Sequence, residues 1–241
     1  MRLNFYLLLT LLLCRTIYAR TYGIIGGFSG VMVYNCKTSL NEILIKNGYG
    51  EAKSILFGPG VTGAIVINNI YIGGWGYMLP GEIMENGINR FYYTESFGTF
   101  NIGYVALNER NFVLIPKVGM GGCYKEIQVA NSTINNADFS HLIENPGNLS
   151  IFKCNSISFE ASLLTLLKLD FIHIGLSIGY IYSPQNQWAI SGSGGYSVNA
   201  INSPPASVHN FYISTGIFLG AFTRNIQQEI QDKEDRKENG K

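Results

Sequence analysis

The chain of 241 residues carries 17 basic and 16 acidic side chains, and its charged fraction of 14% is well below the roughly 25% of ordinary soluble proteins. Ten of those charges follow Phe222, so the body is poorer in charge still. A net charge of +1 with no clustered basic surface excludes a nucleic-acid partner, and a dense disulfide framework is excluded because only Cys36, Cys123 and Cys154 lie beyond the N-terminal segment.

In chain order, Met1-Arg2, the apolar run Phe5 to Leu13 and the stretch Arg15 to Ala19 form a secretory signal with cleavage expected after Ala19. The run is about half of the roughly 20 residues of a membrane-spanning helix, which argues against an uncleaved anchor. Leu11-Leu12-Leu13 lacks the small residue expected before a lipid-modified cysteine, so Cys14 should leave with the signal. The chain therefore divides into a signal at 1–19, one body at 20–222 and a charged tail at 223–241.

Eight strand-like runs follow, at about 22–34, 55–67, 70–79, 89–107, 111–128, 156–169, 171–183 and 209–222. After the first comes "SLNEILIKNGYG" at 39–50, a short helix with marked ends. Ser39 and Glu42 make a capping box, Leu40, Ile43 and Leu44 share a face, and Asn47-Gly48 supplies the stop. Long connections at 35–54, 80–88, 129–155 and 184–208 alternate with tight turns at Asn68-Asn69, Asn108 to Asn111 and around Asp170. Outer-membrane barrels sort their loops in this way, with short turns on the periplasmic side and an even strand count. On that reading the helix sits in the first long loop at the outer mouth, with Leu40, Ile43 and Leu44 against the rim or across the opening.

Alternation inside the strands agrees. Ile172, Ile174, Leu176, Ile178, Tyr180 and Tyr182 oppose His173, Gly175, Ser177, Gly179 and Ile181, and Phe211 to Ala221 alternate in the same manner with Asn210 to Gly220. Leu114, Pro116, Val118 and Met120 oppose Lys117, Gly119 and Gly121, and Phe100, Ile102 and Tyr104 oppose Thr99, Asn101 and Gly103. Only 70–79 is ambiguous, with glycine on both faces. Aromatic residues at strand ends form two expected girdles, Tyr34, Tyr77, Tyr92, Tyr93, Tyr124, Tyr180, Tyr182 and Phe211 outside, and Tyr71, Phe112, Phe171 and Phe222 inside.

With these features the chain resembles small bacterial outer-membrane β-barrel proteins over about 20–222. In detail it is similar to an uncharacterised group of exported barrels, through "SLNEILIKNGYG", "FGTFNIGYV", "VGMGG" and "SPPASVHNFYISTGIF". The resemblance implies a fold and a compartment, and no activity. The reading is an all-β, eight-stranded antiparallel up-and-down transmembrane barrel with one helix in the first long loop. Its expected location is the cell outer membrane, and its partners are outer-membrane lipid, the outer-membrane insertion machinery and a surface ligand of undefined chemistry.

No catalytic, cofactor or metal site is expected. "GPGVTG" at 58–63 spells the dinucleotide-loop string but is followed by a β-forming run instead of the helix that would receive pyrophosphate. His141, His173 and His209 show no metal-ligand spacing. His173, Ser177 and Glu160 could suggest a hydrolase, yet positions four apart in a strand are about 13 Å apart. Lys117, Lys125, Glu160 and Lys168 share inward parity with His173 and are expected to fill the lumen as a polar cluster, since eight strands enclose little more than side chains. The tail "NIQQEIQDKEDRKENGK" reads as solvated. The function expected is a non-enzymatic integral barrel with a structural or surface-interaction role, with a soluble exported ligand-binding barrel or a membrane-embedded lipid-modifying enzyme as alternatives. Cys123 and Cys154 are the expected disulfide pair if their register brings them together, leaving Cys36 free, with a Cys36 pairing through the loops or three reduced thiols as the alternatives.

Overall fold

The computed structural model describes residues 21–35, 38–46, 51–86, 89–131, 149–184, 188–191, 197–199 and 208–224. The signal, the tail beyond Arg224, Cys36, the helix stop at Asn47-Gly48 and His141 lie outside the described residues. The described elements are β1 (Thr21–Asn35), α1 (Thr38–Lys46), β2 (Ile55–Ile67), β3 (Ile70–Asn86), β4 (Asn89–Tyr104), β5 (Leu107–Asn108), β6 (Phe112–Asn131), β7 (Leu149–Leu169), β8 (Ile172–Ser183), β9 (Ala189–Ser191), β10 (Ser197–Asn199) and β11 (Val208–Arg224).

Eight of these strands pair in the order β1-β2-β3-β4-β6-β7-β8-β11, every pair antiparallel. The first and last strands close the ring from Thr21↔Arg224 to Asn35↔Asn210. Closure removes the sheet edges that would otherwise leave unpaired backbone groups in lipid. β5 adds a short pairing to the start of β6 at the tight-turn end. At the long-loop end β9 pairs with β7 and β10 with β9, extending the wall above the ring.

The tight turns follow from residue chemistry. Asn68 (φ 51°) and Asn69 (φ 69°) occupy the left-handed region that a two-residue hairpin needs and that Asn tolerates, and Asp170 (φ 57°) does the same between β7 and β8. Asn69 also ties the start of β1, accepting from Thr21 N at 2.8 Å through its side chain.

The outer wall is apolar along alternate residues. Ile24, Phe28, Phe57, Val61, Val118, Met120, Ile178, Phe211 and Ile217 are all more than half exposed, which in water would be an aggregation liability and in lipid is a matching surface. The inner face buries two apolar clusters. One, at the tight-turn end, gathers Ile25, Val66, Tyr71, Val113, Ile115, Leu164, Leu166 and Phe218. The other, toward the long loops, gathers Val33, Leu56, Leu79, Phe91, Ile127, Ile181 and Trp188, together with Leu44 from α1. Glycines on the inner face make room for the large rings. A Cβ on Gly175 would meet the Phe218 ring at 2.2 Å, and one on Gly179 the Tyr212 ring at 2.5 Å.

Several sequence expectations are corrected. The segment 80–88 is not a long loop, because β3 runs to Asn86 and β4 starts at Asn89; Pro80-Gly81 falls at a bulge between Leu79 and Glu82, which absorbs the missing proline N–H. β6 and β7 likewise extend to Asn131 and back to Leu149, into the expected loop at 129–155. On β3 the aromatic face turns inward, so Tyr71 and Tyr77, with Tyr93 on β4, leave the expected girdles and fill the lumen. Phe222 also turns in, against the tight-turn cluster. Tyr34, Tyr182, Phe211, Phe112 and Phe171 do face out.

The helix packs Leu40 and Leu44 against the cluster toward the long loops, but Ile43 is 39% exposed. Asn41 takes the buried place instead, because its amide exchanges two hydrogen bonds of 3.1 Å with the backbone of Ala52 and so pins α1 to the chain entering β2. Cys123 and Cys154 are both buried and free. Cys123 stands opposite Ser156 and Cys154 opposite Lys125, so the register separates the expected pair by two residues.

Candidate functional site

The polar residues of the lumen gather around two carboxylates. Glu160, on β7, accepts at Oε1 from Lys117 Nζ (3.1 Å), Ser162 Oγ (2.6 Å) and Tyr212 OH (2.5 Å). At Oε2 it accepts from Trp75 Nε1 (2.5 Å), Asn101 Nδ2 (2.7 Å) and Thr99 Oγ1 (2.9 Å). These six donors come from β3, β4, β6, β7 and β11, so one side chain joins five strands across the barrel. The Lys117 ammonium also lies 5.2 Å from the centre of the Trp75 ring, and the Trp75 and Tyr212 rings pack tilted by 35° with centroids 4.6 Å apart.

The second carboxylate, Glu95 on β4, lies toward the long-loop mouth and is fully buried. Its Oε1 accepts from Asn210 Nδ2 (2.7 Å) and Tyr77 OH (3.0 Å), and its Oε2 from Tyr93 OH (2.6 Å) and Asn35 Nδ2 (2.9 Å). None of these donors carries a charge. Glu95 was missing from the sequence expectations. Its signal was parity, because it alternates in step with Phe97, Thr99 and Asn101 on the inward face of the same strand.

The residues expected to form one polar cluster occupy three separate places. Lys117 and Glu160 form a buried ion pair at 3.1 Å. Lys168 lies at the tight-turn end, where its ammonium donates to Asn108 Oδ1 at 2.8 Å and Asn108 donates in turn to Thr21 Oγ1 at 3.1 Å. Lys125, 6% exposed, faces Glu95 across the β4–β6 pair but makes no hydrogen bond or ion pair among the described residues. His173 stands opposite Lys168 with its ring 5.6 Å from that of Phe222, and neither ring nitrogen has a hydrogen-bond partner there.

This arrangement constrains the chemistry. An ionised carboxylate offers about four lone-pair positions, and Glu160 receives six donors, so it has no acceptor capacity left for a substrate proton. His173 makes no hydrogen bond to Glu160 or Ser177; the Ser177 hydroxyl is 3.4 Å from Tyr212 OH instead. Gly58, Gly60 and Gly63 lie within β2 with no helix after them, and a Cβ on Gly60 would sit 2.7 Å from Val31, so packing accounts for that glycine.

No protein-family model and no curated protein matches the chain. Among solved structures, a major outer membrane protein from Thermus thermophilus superposes with a TM-score of 0.53 at 7% identity, over 83% of this chain and 99% of that one. Ail, the attachment invasion locus protein of Yersinia pestis, aligns over 84% of this chain and 99% of its own at 12% identity, with a TM-score of 0.42. At such identities the likeness carries the fold alone. The chain is a closed eight-stranded antiparallel β-barrel of the bacterial outer-membrane type, with an apolar wall suited to lipid and a lumen filled by side chains.

Proposed function

We propose that the protein is a non-enzymatic outer-membrane barrel that does not conduct, and whose role is to hold its long-loop end at the cell surface for structural support or contact. The observation that carries this reading is the saturated Glu160 carboxylate. Its bonds to five strands brace the middle of the lumen, and apolar clusters close the barrel on either side. A transport path would need a chain of mobile polar groups or water from end to end.

The long-loop end supports the surface part of the reading. Spanning a bilayer takes about 9–11 residues per tilted strand, and β6 and β7 hold 20 and 21. Both therefore project well past the headgroups, β7 carrying β9 and through it β10, while α1 packs Leu40 and Leu44 against the cluster at the same end.

The test is conductance in planar bilayers. The expected result is no steady current from the native protein, and none from Lys125→Met, which leaves both plugs in place. Reproducible single-channel steps would overturn the closed-lumen reading and favour a channel.

A further inference from the structure

The outer wall of β4, β6 and β7 is built in cross-strand rows, and one row breaks the apolar band. Toward the tight turns, Phe100, Met120 and Phe159 form a ridge, each close to half exposed or more. In the next row but one on the same face stand Gly98, Gly122 and Ile157, so two of three positions have no side chain. Beyond them come Ser96, Tyr124 and Asn155, and then Thr94, Glu126 and Lys153. The result is a shallow depression of about 630 Å³ lined by Ser96, Gly98, Gly122, Tyr124, Asn155 and Ile157, a volume within the range of ligand-sized clefts.

Packing inside the barrel does not require those glycines. A Cβ on Gly98 would meet nothing within 4 Å, and one on Gly122 only the Ser156 carbonyl at 3.9 Å. Larger side chains fit at both places, so the gap is a property of the wall and not of the core. Its height is set by strand length. On β6, the central strand of the three, Gly122 is the eleventh residue outward from Phe112, where a spanning strand reaches the headgroup level.

Above the gap the polar groups are ordered. Glu126 accepts from Tyr124 OH and from Gln128 Nε2 (2.6 Å), and its carboxylate lies 3.8 Å from Lys153 Nζ. The acid is thus occupied by its neighbours, while Lys153 is 41% exposed and its ammonium has more donors than this one contact uses. A gap of mixed lining at the headgroup level, four residues along β7 from an exposed ammonium, fits a molecule with an acyl chain and an anionic head.

We propose that this depression seats one acyl chain of a phosphate-bearing membrane lipid, with the phosphate held by Lys153 and the chain lying over Gly98 and Gly122 between Ile157 and Tyr124. The closed lumen plays no part, so the site is independent of the reading above. Lipid here is a discrete ligand, distinct from the sheath that coats the rest of the wall.

The test is native mass spectrometry of the full barrel released from mild detergent after incubation with dipalmitoyl phosphatidylglycerol or with neutral dipalmitoylglycerol. The expected result is one retained phosphatidylglycerol per barrel, with the diacylglycerol retained at least about tenfold less. Gly122→Leu should abolish retention. Gly63→Leu, on another part of the wall where a Cβ also meets nothing, should leave it unchanged. Lys153→Gln should erase the preference for phosphate. Folding is checked by heat-dependent gel mobility, and Gly98→Leu fills the same depression should Gly122→Leu fail that check. Equal retention by native, Gly122→Leu and Gly63→Leu proteins would mean coating lipid only and would overturn the proposal, as would equal retention of the charged and neutral lipids.

Discussion

Glu160 and Glu95 are both buried inside the same barrel, and they are compensated in opposite ways. Glu160 has a cation at 3.1 Å and six donors, whereas Glu95 has four neutral donors and leaves the lysine across from it, Lys125, unbonded among the described residues. A buried carboxylate can be satisfied by hydrogen bonds or by an opposite charge, and the cost of an error differs between the two. The difference teaches where the barrel is rigid. The centre depends on a charge pair that ties five strands. The long-loop half depends on aromatic hydroxyls and amides that also bridge strands, but without charge.

The largest way to break this comparison is Lys117→Met. It leaves Glu160 ionised among neutral donors only, and unfolding in denaturant should show a loss of about 3–5 kcal/mol. Tryptophan fluorescence reads the event directly, since Trp75 donates to the same carboxylate. A loss below about 1 kcal/mol would show that the two carboxylates are equivalent, with the lysine a bystander.

A middle-sized test compares two hydroxyls. Tyr77→Phe removes one of four donors from Glu95, and Tyr212→Phe one of six from Glu160. Hydrogen bonds to charged groups contribute about 1.5–3 kcal/mol, and the carboxylate with fewer alternatives should lose more, so Tyr77→Phe is expected to be the more costly. The reverse order, measured by equilibrium unfolding of the two variants, would mean that the four-donor shell is not limiting. The smallest expected effect belongs to Lys125→Met. Replacing a buried ammonium that bonds to nothing described should change stability by less than about 1 kcal/mol, or raise it. A loss of several kcal/mol would reveal that Lys125 supports Glu95 after all.

Much of the fold was legible because lipid on one face and a narrow lumen on the other impose a two-residue period on every strand. That period separated Ile172 to Tyr182 from His173 to Ile181, and it placed Lys117 and Glu160 on inward-facing positions of adjacent strands. It was blind where both faces carry glycine, as on β3, and where a bulge keeps a strand going through Pro80-Gly81. The helix was legible from its spacing, but not the turn of Asn41 toward Ala52, because that amide answers to backbone groups brought near by closure.

By itself the sequence determined the eight strands of the ring, the tight turns and the inward parity of Lys117, Glu160 and His173, because these depend on local periodicity and on residues such as Asn68 and Asn69 that accept a left-handed backbone. Only the tertiary structure decided which inward residues meet. Shared parity gathers Lys117, Lys125, Glu160, Lys168 and His173 on one face, yet they end in three places, since parity fixes a side and not a height. The height comes from the register between strands, set when β1 pairs with β11 and the ring closes, and that register alone puts Lys117 beside Glu160 and leaves Lys125 apart.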